Sequence, residues 1–265
     1  MIRGDYHVHT SFCDGSCPPE EMVRAALEKG MDAIGFSGHS HTAFDESWCM
    51  SPAGTEAYRA EIARLKARYA GKIRIFCGVE QDLYSDAPAA DYDYVIGSLH
   101  YLRAGDAYLP VDESAAHQTD AAARYFGGDI YAFAEAYYSQ LAHIQASTGC
   151  GVIGHFDIVA KFNEGGALFD ERHPRYVAAW RAAAEALLQS GALFEINTGA
   201  IARGWRSVPY PAPPILDYLI GRGARFLLSG DAHRTEGLCF GFDDWGARAR
   251  ARGAVIVDAP DFCIH

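Results

Sequence analysis

Six histidines and two carboxylates stand where they could hold metal ions. His7 and His9 are two apart, as are Asp231 and His233, while His39, Glu80, His100 and His155 fall singly between them. Alternate residues of a strand share a face, so each close pair presents both side chains to one side. Imidazole and carboxylate without thiolate suit zinc, iron or manganese in a catalytic rather than a closed structural site. A lone histidine at a strand end is ordinarily a hydrogen-bonded surface residue, and His-x-His by itself is a modest signal. Ligand-type residues in phase at five further strand ends are not explained that way. The set points to a multinuclear metal centre.

The elements that must position these residues alternate between short apolar runs and helical periodicity. Asp5–His9, Ala33–Ser37, Ile73–Glu80, Tyr94–His100, Val152–His155, Leu193–Asn197 and Phe226–Gly230 read as seven strands, with Val255–Val257 closing the chain. Between them, Pro18-Pro19-Glu20-Glu21 opens a helix with Met22, Val23, Ala26 and Leu27 on one face, and Gly30 ends it. Tyr58, Ile62, Leu65 and Tyr69 mark a second helix, and Ile130, Phe133, Tyr137, Leu141 and Ile144 a third. Further helices fall around Val177–Leu188 and after Pro213-Pro214. Seven strand–helix alternations without a linker predict one domain over residues 1–265, a (β/α) barrel whose ligands gather at the C-terminal rim of the strands. No GxGxxG or GxxxxGK[ST] opens a helix, so the nucleotide-binding open sheets lack their mark. Residues 101–128 read as a long irregular insertion, a lid over the site.

Composition narrows the function. With 265 residues, 49% of them hydrophobic, the chain can build one large core. Its 23 Lys and Arg against 34 Asp and Glu give a charge of −11, a field that repels nucleic acid and anionic lipid. Bound divalent cations would offset part of that charge. Seven cysteines at irregular spacing suit neither a zinc knuckle nor a disulfide framework. No signal-like or membrane-length apolar run appears, and a reducing, cytoplasmic setting is expected.

Six segments carry a resemblance. Asp5-Tyr6-His7-Val8-His9-Thr10, Gly35-Phe36-Ser37-Gly38-His39-Ser40, Gly78-Val79-Glu80, Gly97-Ser98-Leu99-His100, Gly154-His155 and Gly230-Asp231-Ala232-His233 together resemble the PHP (polymerase and histidinol phosphatase) family. The stand-alone histidinol-phosphate phosphatases are nearest, and the likeness extends to Tyr125–Asp129 and Glu195–Thr198. The resemblance implies a distorted (β/α)7 barrel with two to three divalent ions, zinc, iron or manganese. It implies that His7, His9, Glu80 and Asp231 hold one ion and that Glu80 bridges to a second, held by His100 and His155. His39 and His233 would hold the third, with Asp14 where relatives place a histidine or an acid. Arg203 matches a position that contacts phosphate. Where relatives often carry an arginine, this chain has Ala160; Lys161 beside it could supply the charge, without the planar fork of a guanidinium.

The implied reaction is hydrolysis of a small phosphate monoester, with L-histidinol phosphate as the leading substrate. Glu80, Asp231 and Arg203 are the candidate catalytic residues, and Arg203, Lys161 and His117 the candidate substrate-binding ones. Asp157 reads either as a leaving-group acid or as a plain surface carboxylate, and Asn197 as a support beside Glu195. The aromatics Tyr125, Phe126, Tyr137 and Tyr138 read as core or lid packing, and His41, His143, His173 and His265 carry no functional assignment. Competing readings keep the site for another phosphorylated metabolite, turn it to C–N hydrolysis in the manner of amidohydrolases, or make it a metal-binding accessory module. No nucleic-acid or membrane partner is expected, and oligomeric state is not legible.

Overall fold

A computed structural model describes residues 3–257, so His265 and Cys263 lie outside the described residues. The chain opens with β1 (Gly4–Asp5), α1 (Pro19–Glu28), β2 (Ala33–Phe36), α2 (Pro52–Arg68), β3 (Arg74–Asp82) and β4 (Tyr94–Ser98). There follow β5 (Tyr101–Ala104), β6 (Ala107–Pro110), α3 (Ala115–Tyr125), α4 (Ile130–Leu141), α5 (Ile144–Thr148) and β7 (Val152–Ile153). The last third holds α6 (Pro174–Leu188), β8 (Leu193–Asn197), α7 (Gly199–Ala202), α8 (Pro213–Gly221), β9 (Arg225–Ser229), α9 (Phe242–Ala251) and β10 (Val255–Ile256). Eight strands run parallel in the order β1-β2-β3-β4-β7-β8-β9-β10.

Seven of those strands are the ones read from the sequence, and they curl into a distorted barrel. β1 and β9 do not pair along their length, but their C-terminal extensions meet. His9 N donates to Ala232 O at 2.9 Å, and Ala232 N donates to His7 O at 2.9 Å. The rim carrying the ligand residues is therefore stitched shut, while β10 extends the β9 edge below it.

Local chemistry explains the starts of the helices. Pro19 stands at the first turn of α1, where a missing N–H costs nothing, and Glu20 and Glu21 complement the helix dipole. Ser51 caps α2 by accepting from Gly54 N, and Asp129 caps α4 by accepting from Tyr131 N and Ala132 N. The barrel floor is a cluster of Tyr6, Tyr94, Ile96, Val152, Leu193 and Leu227. Tyr94 lies over Gly35 and Gly78, where an added Cβ would sit 2.5 and 2.3 Å from its ring or hydroxyl. The core under α4, α6 and α8 includes Tyr137 and Tyr138, both fully buried, whereas Tyr125 is exposed.

Two expectations need correction. Regular β pairing in the first strand stops at Asp5, because side chains then take over: His7 N donates to Asp5 Oδ1 and Val8 N to Ser37 Oγ. Residues 101–128 are not irregular: β5 and β6 form an antiparallel hairpin turned by Gly105-Asp106, and α3 follows, capped by Ser114.

Candidate metal centre

The ends of β1, β2, β3, β4, β7 and β9 bring all nine sequence-predicted ligand residues together. His7 is fully buried and its Nδ1 donates to Glu195 Oε1 at 2.7 Å. That bond selects the tautomer whose Nε2 lone pair faces the centre, 3.0 Å from Glu80 Oε2. His9 Nε2 lies 3.4 Å from both Glu80 Oε2 and Asp231 Oδ1. His39 Nδ1 is 3.0 Å from Glu80 Oε2, and its Nε2 is 3.5 Å from Asp14 Oδ1. Asp14 Oδ2 in turn meets His233 Nε2 at 3.0 Å.

Glu80 is the hub. While Oε2 faces His7, His9 and His39, Oε1 accepts from Ser98 Oγ at 2.6 Å and meets His155 Nε2 at 2.8 Å and His100 Nε2 at 3.4 Å. Three sets of ligand atoms lie close enough to share an ion: His7, His9 and Glu80; His39, Glu80 and His100; and His9, Asp14, His39 and His233. Glu80 belongs to two sets. His39 also belongs to two, so the geometry ties it to Glu80 as well as to Asp14 and His233. Among the described residues, His7 Nε2, His9 Nε2, His39 Nδ1 and Glu80 Oε2 are buried without a hydrogen-bond partner. Buried polar atoms ordinarily find partners, and orphaned lone pairs aimed at common points fit divalent cations.

The electrostatics agree with that fit. Burial alone would raise the Glu80 carboxyl, but His7, His39 and His100 outweigh it and hold the group well below the usual carboxylate range. Burial likewise opposes ionisation of Asp231, which Arg203 and His7 hold low. His39 resists the effect of burial because Glu80 and Asp14 face it, and it rises to about 9. Burial pushes His9 down to about 3, with His233 and His39 adding to the effect. His7, His39 and His100, all shifted up, thus hold protons around two carboxylates that stay ionised, and cations would displace those protons.

Backbone shape serves the same rim. Asp231 has φ of 47°, left-handed backbone uncommon for a non-glycine residue. Gly199 makes room for it: a Cβ there would lie 2.7 Å from that of Asp231. Gly230 lets the buried Asp5 carboxylate approach, since its Cβ would fall 2.2 Å from Asp5 Oδ2. Asp5 then accepts from Gly230 N and Cys239 N, pinning the turn that carries Asp231.

Around the centre lies a cavity of about 440 Å³ whose lining includes Trp48, Tyr101, Asp112, Lys161, Arg203 and Trp205. Arg203 donates to Asp231 O at 2.8 Å and to Asp231 Oδ2 at 2.9 Å, and meets His233 Nδ1 at 3.0 Å. Lys161 lines the cavity with its ammonium on Asp112 O, at 2.6 Å, and Asp112 Oδ2, at 3.1 Å. His117 stands apart: its side chain is 48% exposed at the start of α3, bonded to Ser114, and does not line the cavity. Asp157 is neither a surface carboxylate nor a group lining the cavity. It is fully buried, accepts from Ala212 N, and is pushed up by burial to about 7.

Several contributors carried no assigned role in the sequence. Asp82 accepts from His100 N and Nδ1, at 2.9 and 3.2 Å, turning His100 Nε2 toward Glu80. Glu195 does this for His7 and also accepts from His155 N and Asn197 Nδ2, so Asn197 does stand beside it. Both were findable by alternation: Asp82 is two residues from Glu80, and Leu193, Glu195 and Asn197 share one strand face. Trp48 and Asp45, which line the cavity, with Asp45 accepting from the Tyr101 hydroxyl, had no such signal.

Comparison with known proteins adds the kinship of this site. The PHP domain model matches residues 5–199. A Deinococcus radiodurans protein named "probable histidinol-phosphatase" is 29% identical over 254 residues, covering 91% of this chain and 90% of that one. A Schizosaccharomyces pombe protein of the same name is 25% identical over 235 residues, 81% of this chain and 74% of that one. Among solved structures, a histidinol phosphate phosphatase from Lactococcus lactis, in complex with zinc, L-histidinol and phosphate, superposes with a TM-score of 0.72. It is 20% identical, over 96% of this chain and 95% of that one. No described helix is long and apolar enough to cross a membrane.

Proposed function

The chain belongs to the PHP domain family, and we propose that it is a metal-dependent phosphoric monoester hydrolase acting on L-histidinol phosphate, releasing L-histidinol and phosphate in histidine biosynthesis. The observation that carries this reading is Glu80, whose two oxygens face five imidazoles from two sides. The Deinococcus and fission-yeast relatives, named as histidinol phosphatases and aligned along most of the chain, support the substrate.

Two to three divalent ions fit the donors. His7, His9, Glu80 and Asp231 would hold the first; Glu80, His100 and His155, with His39 at hand, the second; and His39, Asp14 and His233 the third. Such ions, when bound, supply Lewis acidity: they make water acidic enough to attack near neutral pH and screen the charge on a phosphate. The rest falls to the chain. Glu195 and Asp82 hold His7 and His100 in the tautomers that present Nε2. Arg203 braces Asp231 through two of its N–H donors, meets His233 Nδ1 with a third, and keeps its remaining ones, on a side chain 31% exposed, for a phosphate oxygen. Lys161, which lines the same cavity, offers a second cation. Trp48 and Tyr101 cover the His39 and His100 side and exclude water there.

The test is a panel of phosphomonoesters, phosphodiesters and small amides, assayed after chelation and after adding back zinc, manganese or iron. The expected result is metal-dependent release of phosphate with L-histidinol phosphate the best substrate. Amide cleavage without phosphate release, or turnover that survives complete metal removal, would overturn the proposal.

A further inference from the structure

Three carboxylates line the cavity without belonging to the metal centre, Asp45, Asp112 and Glu113, and Asp112 is the one that Lys161 holds with an oxygen left over. Asp112 follows β6 and belongs to none of the three ligand sets, yet it lines the same cavity. It is close enough for its charge to act on His100, His155 and Arg203. Its side chain is 26% exposed. Lys161 Nζ takes Asp112 Oδ2 and the Asp112 carbonyl, which leaves Oδ1 without a hydrogen-bond partner among the described residues. Neighbouring Glu113 and Asp45 of the 42–48 loop add negative charge to the lining, while its cations are Lys161 and Arg203, both already engaged with carboxylates.

A wall of this sign is a poor surround for an anionic ester. It repels a second phosphate, a carboxylate or any further negative group on the substrate, and offers nothing to a neutral polyol that water does not. It favours one kind of molecule: a phosphomonoester whose organic half is cationic, so that metals and Arg203 hold one end and the wall holds the other. A specific oxygen acceptor at a fixed place discriminates more sharply than diffuse charge, because a substrate lacking the matching N–H leaves the acceptor unpaired.

We propose that Asp112 is a specificity-determining residue whose free Oδ1 receives the ammonium group of an amino-alcohol phosphate, selecting it against phosphomonoesters of the same shape without the amine. This rests on the phosphatase reading of the site and deepens it. Asp112→Asn is a suitable probe, because an amide oxygen still accepts from Lys161 and the main-chain contact of Lys161 is untouched.

The experiment compares L-histidinol phosphate with its desamino analogue, the imidazolylpropyl phosphate, on the full-length, metal-loaded wild type, Asp112→Asn and Asp112→Glu. In the wild type the kcat/KM ratio should favour the amine by on the order of 100-fold, the range for a charged hydrogen bond. In Asp112→Asn it should fall below about 5-fold, and Asp112→Glu should keep most of the preference. Calorimetric titration with L-histidinol gives a readout without turnover: affinity should drop at least about tenfold in Asp112→Asn. An unchanged ratio in a folded, metal-replete Asp112→Asn, or undiminished L-histidinol affinity, overturns the inference. A wild type that hydrolyses neither ester, yet binds L-histidinol in an Asp112-dependent manner, overturns the phosphatase reading and leaves the amine site standing.

Discussion

The inner rim and the outer wall of the cavity are built on different principles. On the rim, strand ends deliver the ligands and a second buried layer fixes them: Glu195 behind His7, Asp82 behind His100, Asp5 behind the turn of Asp231. The wall consists of two chain excursions leaning on each other, the 42–48 loop and the β5–β6 hairpin. Their contacts include the stacked rings of Phe44 and Tyr108, centroids 3.9 Å apart, and the Tyr101 hydroxyl on Asp45. Rigid strands set the reacting geometry, while loops can vary the ligand without moving a metal. Substitutions on the rim should therefore remove metal and turnover together, and those on the wall should alter substrate affinity alone.

The largest effect tests the rim at its hub. Glu80→Gln replaces one oxygen with an NH2 that has no lone pair for a cation and removes the shared charge. Elemental analysis should show the loss of close to two ions, and kcat should fall by at least ~10³-fold, little restored by added metal. Asp14→Asn, confined to one ligand set, should lose about one ion and retain measurable turnover. A deader Asp14 variant would relocate the hub.

Next comes the layer behind the rim. Glu195→Gln keeps the size of the group but weakens its hold on His7, which should cost roughly 10–100-fold in metal affinity. The kcat of the fully reloaded variant should recover most of the loss. Titration with a competing chelator measures the first quantity, and a kcat that stays low at saturating metal would make Glu195 more than a support.

Arg203 sits between the two regions. Arg203→Ala should lower kcat/KM by about 2 kcal/mol, or ~30-fold, if a charge-assisted contact to phosphate is lost. Because Arg203 also braces Asp231, its removal should loosen the adjacent ion slightly; a wild-type kcat/KM would transfer the phosphate to Lys161.

The same division decides what could be read from the chain. His7, His9, His39, Glu80, His100, His155, Asp231 and His233 were legible because their types are chemically marked and their strands end where the apolar runs end. Asp14 came only with the family resemblance, since nothing in its spacing marks it. Glu195 and Asp82 were in phase with known positions, but a carboxylate that supports a histidine looks like any other until its partner is located across the barrel. The hairpin also had a local signal: Tyr-Leu-Arg-Ala and Ala-Tyr-Leu-Pro alternate around Gly105-Asp106, a two-residue turn. The long stretch between strands hid it. Asp45, Trp48 and Asp112 had none, because their meeting depends on how two excursions, some sixty residues apart in the chain, fold over one rim.

The smallest expected effect lies in the wall itself. Tyr101 does two things: its ring packs by Phe44 and Trp48, at 5.0 and 5.9 Å between centroids, and its hydroxyl donates to Asp45 Oδ2 at 2.5 Å. Tyr101→Phe separates them, keeping the ring and removing the donor. Asp45 retains Ser47, whose backbone N and hydroxyl both donate to Oδ1, so the loop stays folded. The loss should be about 1 kcal/mol, the worth of one ordinary hydrogen bond. Felt as looser seating of the 42–48 loop on the hairpin, it should raise KM for L-histidinol phosphate by less than about 5-fold. Metal content and kcat should not change, because His100 is held by Asp82 and His39 faces Glu80 and Asp14, none of which Tyr101 touches. If Tyr101→Phe instead releases metal, the wall and the rim are one mechanical unit, and the division between them fails.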